Sequence, residues 1–115
     1  DYDKAHIEVG RLELLAPSVA FGSALEFELS LKSVSAEAQP LIIDYAIHHQ
    51  KANGSTNPKV FKWKTLTLDG HATLVAKRKH PMKKITTRVY YPGTHKLEIL
   101  INGTSVGVVD FELII

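Results

Sequence analysis

The sequence has no cysteine. Disulfides and thiolate metal sites are therefore excluded. A small extracellular domain would often carry a bridge, so the absence favours a reducing compartment, the cytoplasm. No apolar run approaches the roughly 18 residues a membrane-spanning helix needs, so no contact with a membrane is expected. The opening Asp1-Tyr2-Asp3-Lys4 lacks the basic-then-apolar order of a signal peptide and has no initiator Met. A domain cut from a longer chain is the expectation. There is no Gly-x-Ser-x-Gly elbow and no glycine-rich phosphate loop, so neither serine-hydrolase nor nucleotide chemistry is expected.

Other constellations are present only in fragments. Six histidines occur, His6, His48, His49, His71, His80 and His95. His48 and His49 are adjacent on an expected strand, point to opposite faces and cannot chelate one ion together. No metal site and no cofactor follow. The acids Glu26 and Glu28 share the solvent face of a strand, not the two sides of a cleft. Asn53-Gly54-Ser55 and Asn102-Gly103-Thr104 match a glycosylation acceptor, but Asn-Gly is also the preferred two-residue hairpin turn, which is the stronger reading. The segment is not expected to be an enzyme.

The chain has 115 residues, of which 44% are hydrophobic. That fits one globular domain of residues 1–115 with a modest core. The dominant pattern is period-two alternation interrupted by turns. Leu25, Phe27, Leu29 and Leu31 alternate with Glu26, Glu28, Ser30 and Lys32 over Leu25–Lys32, the clearest half-buried strand. Other strands are expected over His6–Leu15, Leu41–Lys51, Lys59–Leu68, Ala72–Lys79, Lys96–Ile101 and Val106–Ile114. Ala16-Pro17-Ser18 reads as a break. In Lys59–Leu68 the apolar phase moves from Phe61 and Trp63 to Leu66 and Leu68, which calls for a bulge near Lys64–Thr65. Lys83–Tyr90 is extended but ambiguous, and Pro92-Gly93 is a corner. Seven to eight short strands with regular turns predict an all-β, immunoglobulin-like antiparallel sandwich.

Charge is unevenly distributed. Residues 1–50 carry −5, residues 51–96 carry +10 and residues 97–115 carry −3. The middle of the chain should attract polyanions. Its candidates for phosphate contact are Lys59, Lys62 and Lys64, then Lys77, Arg78 and Lys79, then Lys83 and Lys84 around Pro81, and Arg88 before Tyr90-Tyr91. A solvated lysine-rich face accounts for the same composition, and that alternative stays open here.

Several stretches carry a resemblance. Ile43-Asp44-Tyr45-Ala46-Ile47-His48, Lys51-Ala52-Asn53-Gly54 and Pro58-Lys59-Val60-Phe61-Lys62 resemble the C-terminal portion of bacterial DNA alkylation repair proteins of the AlkC glycosylase type. Thr86-Thr87-Arg88, Tyr90-Tyr91-Pro92-Gly93-Thr94-His95 and Leu97-Glu98 up to Ile101-Asn102-Gly103 extend it over about residues 42–103. The resemblance implies an immunoglobulin-like domain that assists a HEAT-like helical glycosylase domain of the same chain in excising alkylated bases. It implies double-stranded DNA as a partner, held largely without sequence preference. It adds Lys51, Asn53, Thr87 and His95 to the contact candidates and supports Lys59, Lys62 and Arg88. The catalytic domain lies outside this segment, so no catalytic residue is implied. A second reading is a protein-interaction sandwich that docks another domain through an exposed edge or through the acidic Asn102-Gly103 hairpin.

Overall fold

The structure, a computed structural model, describes residues 4–20, 22–50, 56–82 and 93–114. These form strands β1 (Ile7–Leu14), β2 (Ser18–Ala20), β3 (Ala24–Ser33), β4 (Gln39–Gln50), β5 (Thr56–Leu68), β6 (Thr73–Pro81), β7 (Gly93–Ile101) and β8 (Thr104–Ile114). One sheet has the order β1-β3-β6 and the other β2-β8-β7-β4-β5. The all-β sandwich is as the alternation requires. No helix in it is long and apolar enough to cross a membrane.

Alternating residues fill the space between the sheets. Leu25, Phe27, Leu29 and Leu31 of β3 are buried against Leu41, Ile43, Tyr45 and Ile47 of β4. Leu97, Ile99 and Ile101 of β7 and Phe111 and Leu113 of β8 complete the core. Fully burying a side chain of the Leu, Ile or Phe kind stabilises by about 1.5–3 kcal/mol, so this inner face outweighs any single surface contact. Aromatic rings link the two sheets. Phe27 meets Tyr45 and Trp63 edge-on, both at 5.2 Å between centroids.

Turn chemistry fixes the register. Asn102 and Gly103 take positive φ of 51° and 83°, the geometry of a two-residue hairpin. Ile101 accordingly pairs with Thr104. Asn102 also ties the turn to β4, since its backbone N–H donates to the Ile42 carbonyl and its Oδ1 accepts from the Ile42 N–H.

Two sequence expectations change. The bulge in β5 sits at Trp63: Asp44 pairs with Lys62 and Ile43 with Lys64, leaving Trp63 as the extra residue. The break at Ala16-Pro17-Ser18 is followed by β2, which crosses to the other sheet and pairs in parallel with β8 through Ser18–Glu112 and Ala20–Ile114. Three residues are too few to show periodicity, and only Val19 of the three is buried. The expected Asn53-Gly54 turn, the Lys83–Tyr90 extension and the Tyr91-Pro92 part of the corner lie outside the described residues.

Gly70 closes the β5–β6 connection against the β3–β4 connection. A Cβ there would stand 2.1 Å from the carbonyl oxygen of Ala36. Gly70→Ala is expected to destabilise by about 1–3 kcal/mol, read as a lower midpoint of thermal unfolding. Gly10→Ala would meet nothing nearer than 3.6 Å and should leave the midpoint unchanged or slightly raised.

Candidate nucleic-acid interface

The two strands that carry the described basic candidates are both sheet edges, β5 of the larger sheet and β6 of the smaller. They meet along one open side of the sandwich, where Phe61 of β5 lies 4.5 Å from the His80 ring of β6. The floor of this seam is aromatic. Tyr45 stacks on Phe61 at 5.3 Å and meets Trp63 edge-on at 6.2 Å.

The bulge at Trp63 divides the lysines of β5. Lys59 shares a ladder position with inward-facing Ile47, and Lys64 with inward-facing Ile43, so both stand on the seam side. Lys62 pairs with Asp44 and faces outward. One Asp44 carboxylate oxygen is buried without a hydrogen-bond partner. Lys59, Lys62 and Lys64 are all exposed. Among the described residues none of the three has an ion-pair partner; Lys59 lies over the Phe61 ring at 5.9 Å.

β6 divides differently. Lys77 and Lys79 face the outside of the smaller sheet and pair with acids of β3, Glu28 and Glu26, each at 3.6 Å. Arg11 also reaches Glu28, at 3.8 Å. These pairs are exposed and individually weak, but they neutralise the outer face. Arg78, between the two lysines, points the other way. Its guanidinium lies 5.8 Å from the Tyr45 ring centroid, and no carboxylate pairs with it among the described residues. The continuous Lys77-Arg78-Lys79 patch of the sequence is thus two faces, and only Arg78 joins the seam.

His80 completes the seam and was not singled out as a contact by the sequence. The Tyr45 hydroxyl lies 2.8 Å from His80 Nδ1. Tyr45 is buried, with 1% exposure, and no other acceptor is recorded for its hydroxyl. With the Tyr45 hydroxyl as donor, the neutral ring carries its proton on Nε2. Burial lowers the His80 pKa below its ordinary value, and the neighbouring Arg78 charge lowers it further. The only signal in sequence was its inward phase two residues beyond Arg78.

The remaining candidates fall elsewhere. His95 lies in the core, 1% exposed, with its ring stacked on Phe111 at 5.7 Å. Its place on the inner face of β7 removes it from a surface contact. Lys51, Asn53, Lys83, Lys84, Thr87 and Arg88 lie outside the described residues. The described flanks of those segments share one end of the sandwich: Gln50 pairs with Thr56, Gly93 with Leu113, Ala20 with Ile114 and Ala24 with Pro81. The acidic hairpin face is partly satisfied internally. Lys96 pairs with Asp110 at 2.8 Å, and Glu98 meets His48 at 2.9 Å. Hydrogen bonds from Ser105 and then His48 lower the Glu98 pKa. No group of three or more His, Asp or Glu side chains among the described residues could hold a metal ion.

Comparison with known proteins gives four findings. A family model described as "Uncharacterised protein YhaZ, C-terminal Ig-like domain" matches residues 8–115. The YhaZ protein of Bacillus subtilis (strain 168) is 34% identical over 95 residues, spanning 83% of this chain and 26% of the relative. Among solved structures, Pseudomonas fluorescens alkylpurine DNA glycosylase AlkC, bound to DNA containing an abasic site analog, superposes with a TM-score of 0.92 at 32% identity. That match covers 96% of this chain and 31% of the glycosylase. A β-glucosidase from Listeria innocua superposes at 0.72 with 15% identity over 93% of this chain and 16% of its own, a likeness of fold alone.

The depressed His80 pKa has a signed consequence. The unfolded state, near the ordinary value of about 6.5, binds the proton more readily than the folded state. Stability from the neutral ring is full above that value and is lost as pH falls through it toward the folded pKa. The thermal midpoint of the wild type should therefore drop more between about pH 7.5 and about pH 5.5 than that of His80→Asn, which keeps an acceptor for Tyr45.

Proposed function

This chain belongs to the family of the YhaZ C-terminal Ig-like domain, and from that premise we propose that it is an accessory DNA-binding domain of an alkylation-repair protein. The observation that carries the proposal is the likeness, in fold and in sequence, over 96% of the chain to a glycosylase held on DNA. The chain spans 26% of its curated relative and 31% of that glycosylase. Excision of the alkylated base belongs, on this reading, to a helical domain elsewhere in a longer cytoplasmic protein, and the segment itself is not catalytic.

The chemistry of the grip is electrostatic. Lys59, Lys64 and Arg78 offer long cations on the seam side that no described acid pairs with, and Lys62 adds one on the outer face of the larger sheet. Such side chains hold phosphates without reading bases, so affinity follows counterion release and sequence matters little. Lys51, Asn53, Lys83, Lys84, Thr87 and Arg88 belong to segments whose flanks share one end of the sandwich, and the reading assigns them to the same grip. Lys77 and Lys79 contribute less, because releasing either from its glutamate offsets what a phosphate contact gains.

Two variants separate these roles. Replacing Lys59, Lys62 and Lys64 together by Gln should weaken binding of the chain to duplex DNA at low salt. The same change should flatten the plot of log affinity against log salt by about 2–3, roughly 0.9 for each lost phosphate contact. Replacing Lys77 and Lys79 by Gln should change the slope by less than 1 phosphate equivalent, about 0.9. Equal losses in the two variants would overturn the assignment of the grip to β5.

A further inference from the structure

The seam between β5 and β6 is more than a row of cations. It sets three donors over one aromatic floor: the Lys59 ammonium above Phe61, the Arg78 guanidinium beside Tyr45, and the His80 ring 4.5 Å from Phe61. Tyr45 holds His80 Nδ1 at 2.8 Å, which leaves Nε2 as the atom free to turn outward to a ligand. No described residue is recorded as its partner.

We infer that this seam seats a phosphate oxyanion and that filling the seat draws a proton onto His80, coupling phosphodiester binding to pH. The inference rests on the DNA-binding reading above and deepens it, by assigning one residue and one coupled proton to the grip.

The groups facing His80 support the direction of the coupling. From β4 comes the Tyr45 hydroxyl, from β5 the apolar Phe61, and from β6 Arg78. Opposite it in β3 stands Leu25, with Phe27 opposite Arg78, while Glu26 faces the other way onto Lys79. Among the described residues no acid on these strands is placed facing the ring. Burial and Arg78 disfavour the imidazolium in the empty seam. A phosphate between Arg78 and Lys59 reverses the sign of the local field, and the charged ring then gains a partner. Proton uptake and phosphate binding must favour each other reciprocally.

The test is duplex affinity of the chain at about pH 8 and about pH 5.5, with wild type and His80→Asn side by side, values chosen to straddle the ordinary histidine pKa of about 6.5. Wild-type affinity should rise as pH falls, by up to about tenfold for each unit by which the bound pKa of His80 exceeds the free one. His80→Asn should lose that rise, whatever its affinity at the higher pH. A rise of equal size in His80→Asn would overturn the inference while leaving the DNA reading intact. Should His80→Asn fail to fold, the His80 imidazole resonance of the wild type decides. An increase of its pKa on adding duplex supports the seat, and an unchanged pKa overturns it. Inorganic phosphate as a separate titrant distinguishes the sources. If duplex does not bind at any pH but inorganic phosphate raises the His80 pKa, the DNA reading fails and the seat stands. If neither ligand acts, both fail.

Discussion

The contact on which the rest depends is made by Tyr45. Its ring is buried between Phe27 of the smaller sheet and Phe61 and Trp63 of the larger. Its hydroxyl reaches out to His80, and its face receives Arg78. In a fold without cysteine, this cluster joins the two sheets at their open edge. Aromatic pairs of this kind add about 0.5–1.5 kcal/mol beyond the area they bury. The same cluster therefore supplies cohesion and sets the positions of the basic and titratable side chains above it.

The open edge also explains why cations collect there. A long unpaired strand invites pairing with another chain, and lysines and bulges suppress it. β5 has both, with Lys59, Lys62 and Lys64 flanking a bulge at Trp63. Protection of an edge and attraction of a phosphate require the same side chain: exposed, positive and without an acid beside it. On β6 the balance differs. Lys77 and Lys79 meet glutamates across the ladder, so the smaller sheet turns a nearly neutral outer face to solvent, and only Arg78 and His80 remain for the seam.

Much of the fold was legible in the sequence because one alternation serves both local structure and burial. Leu25 to Leu31 of β3 and the Asn102-Gly103 hairpin needed no tertiary information. The short β2 was not legible, since three residues show no period and its place depends on β8. The site was read less fully. Net charge located the basic middle of the chain, but only the ladder register shows which lysines hold acids and which do not. The bulge at Trp63 turned Lys64 to the side of Lys59, against the simple alternation. His95 looked like a surface candidate through its motif, yet its position on the inner face of β7 put it in the core. His80 lacked any motif, and it became visible only when Tyr45, Phe61 and Arg78 came together around it.

The central claim is that the β5–β6 seam is the face that meets DNA. Backbone and side-chain chemical-shift mapping of the chain, titrated with a short duplex at low salt, tests it most directly. The account expects the largest changes at Lys59, Phe61, Lys64, Arg78 and His80, with little change at Lys77, Lys79, Asp110 and Glu112. Changes concentrated on the outer face of β1-β3-β6 or on the Asp110–Glu112 side of the hairpin, with the seam unperturbed, would contradict it.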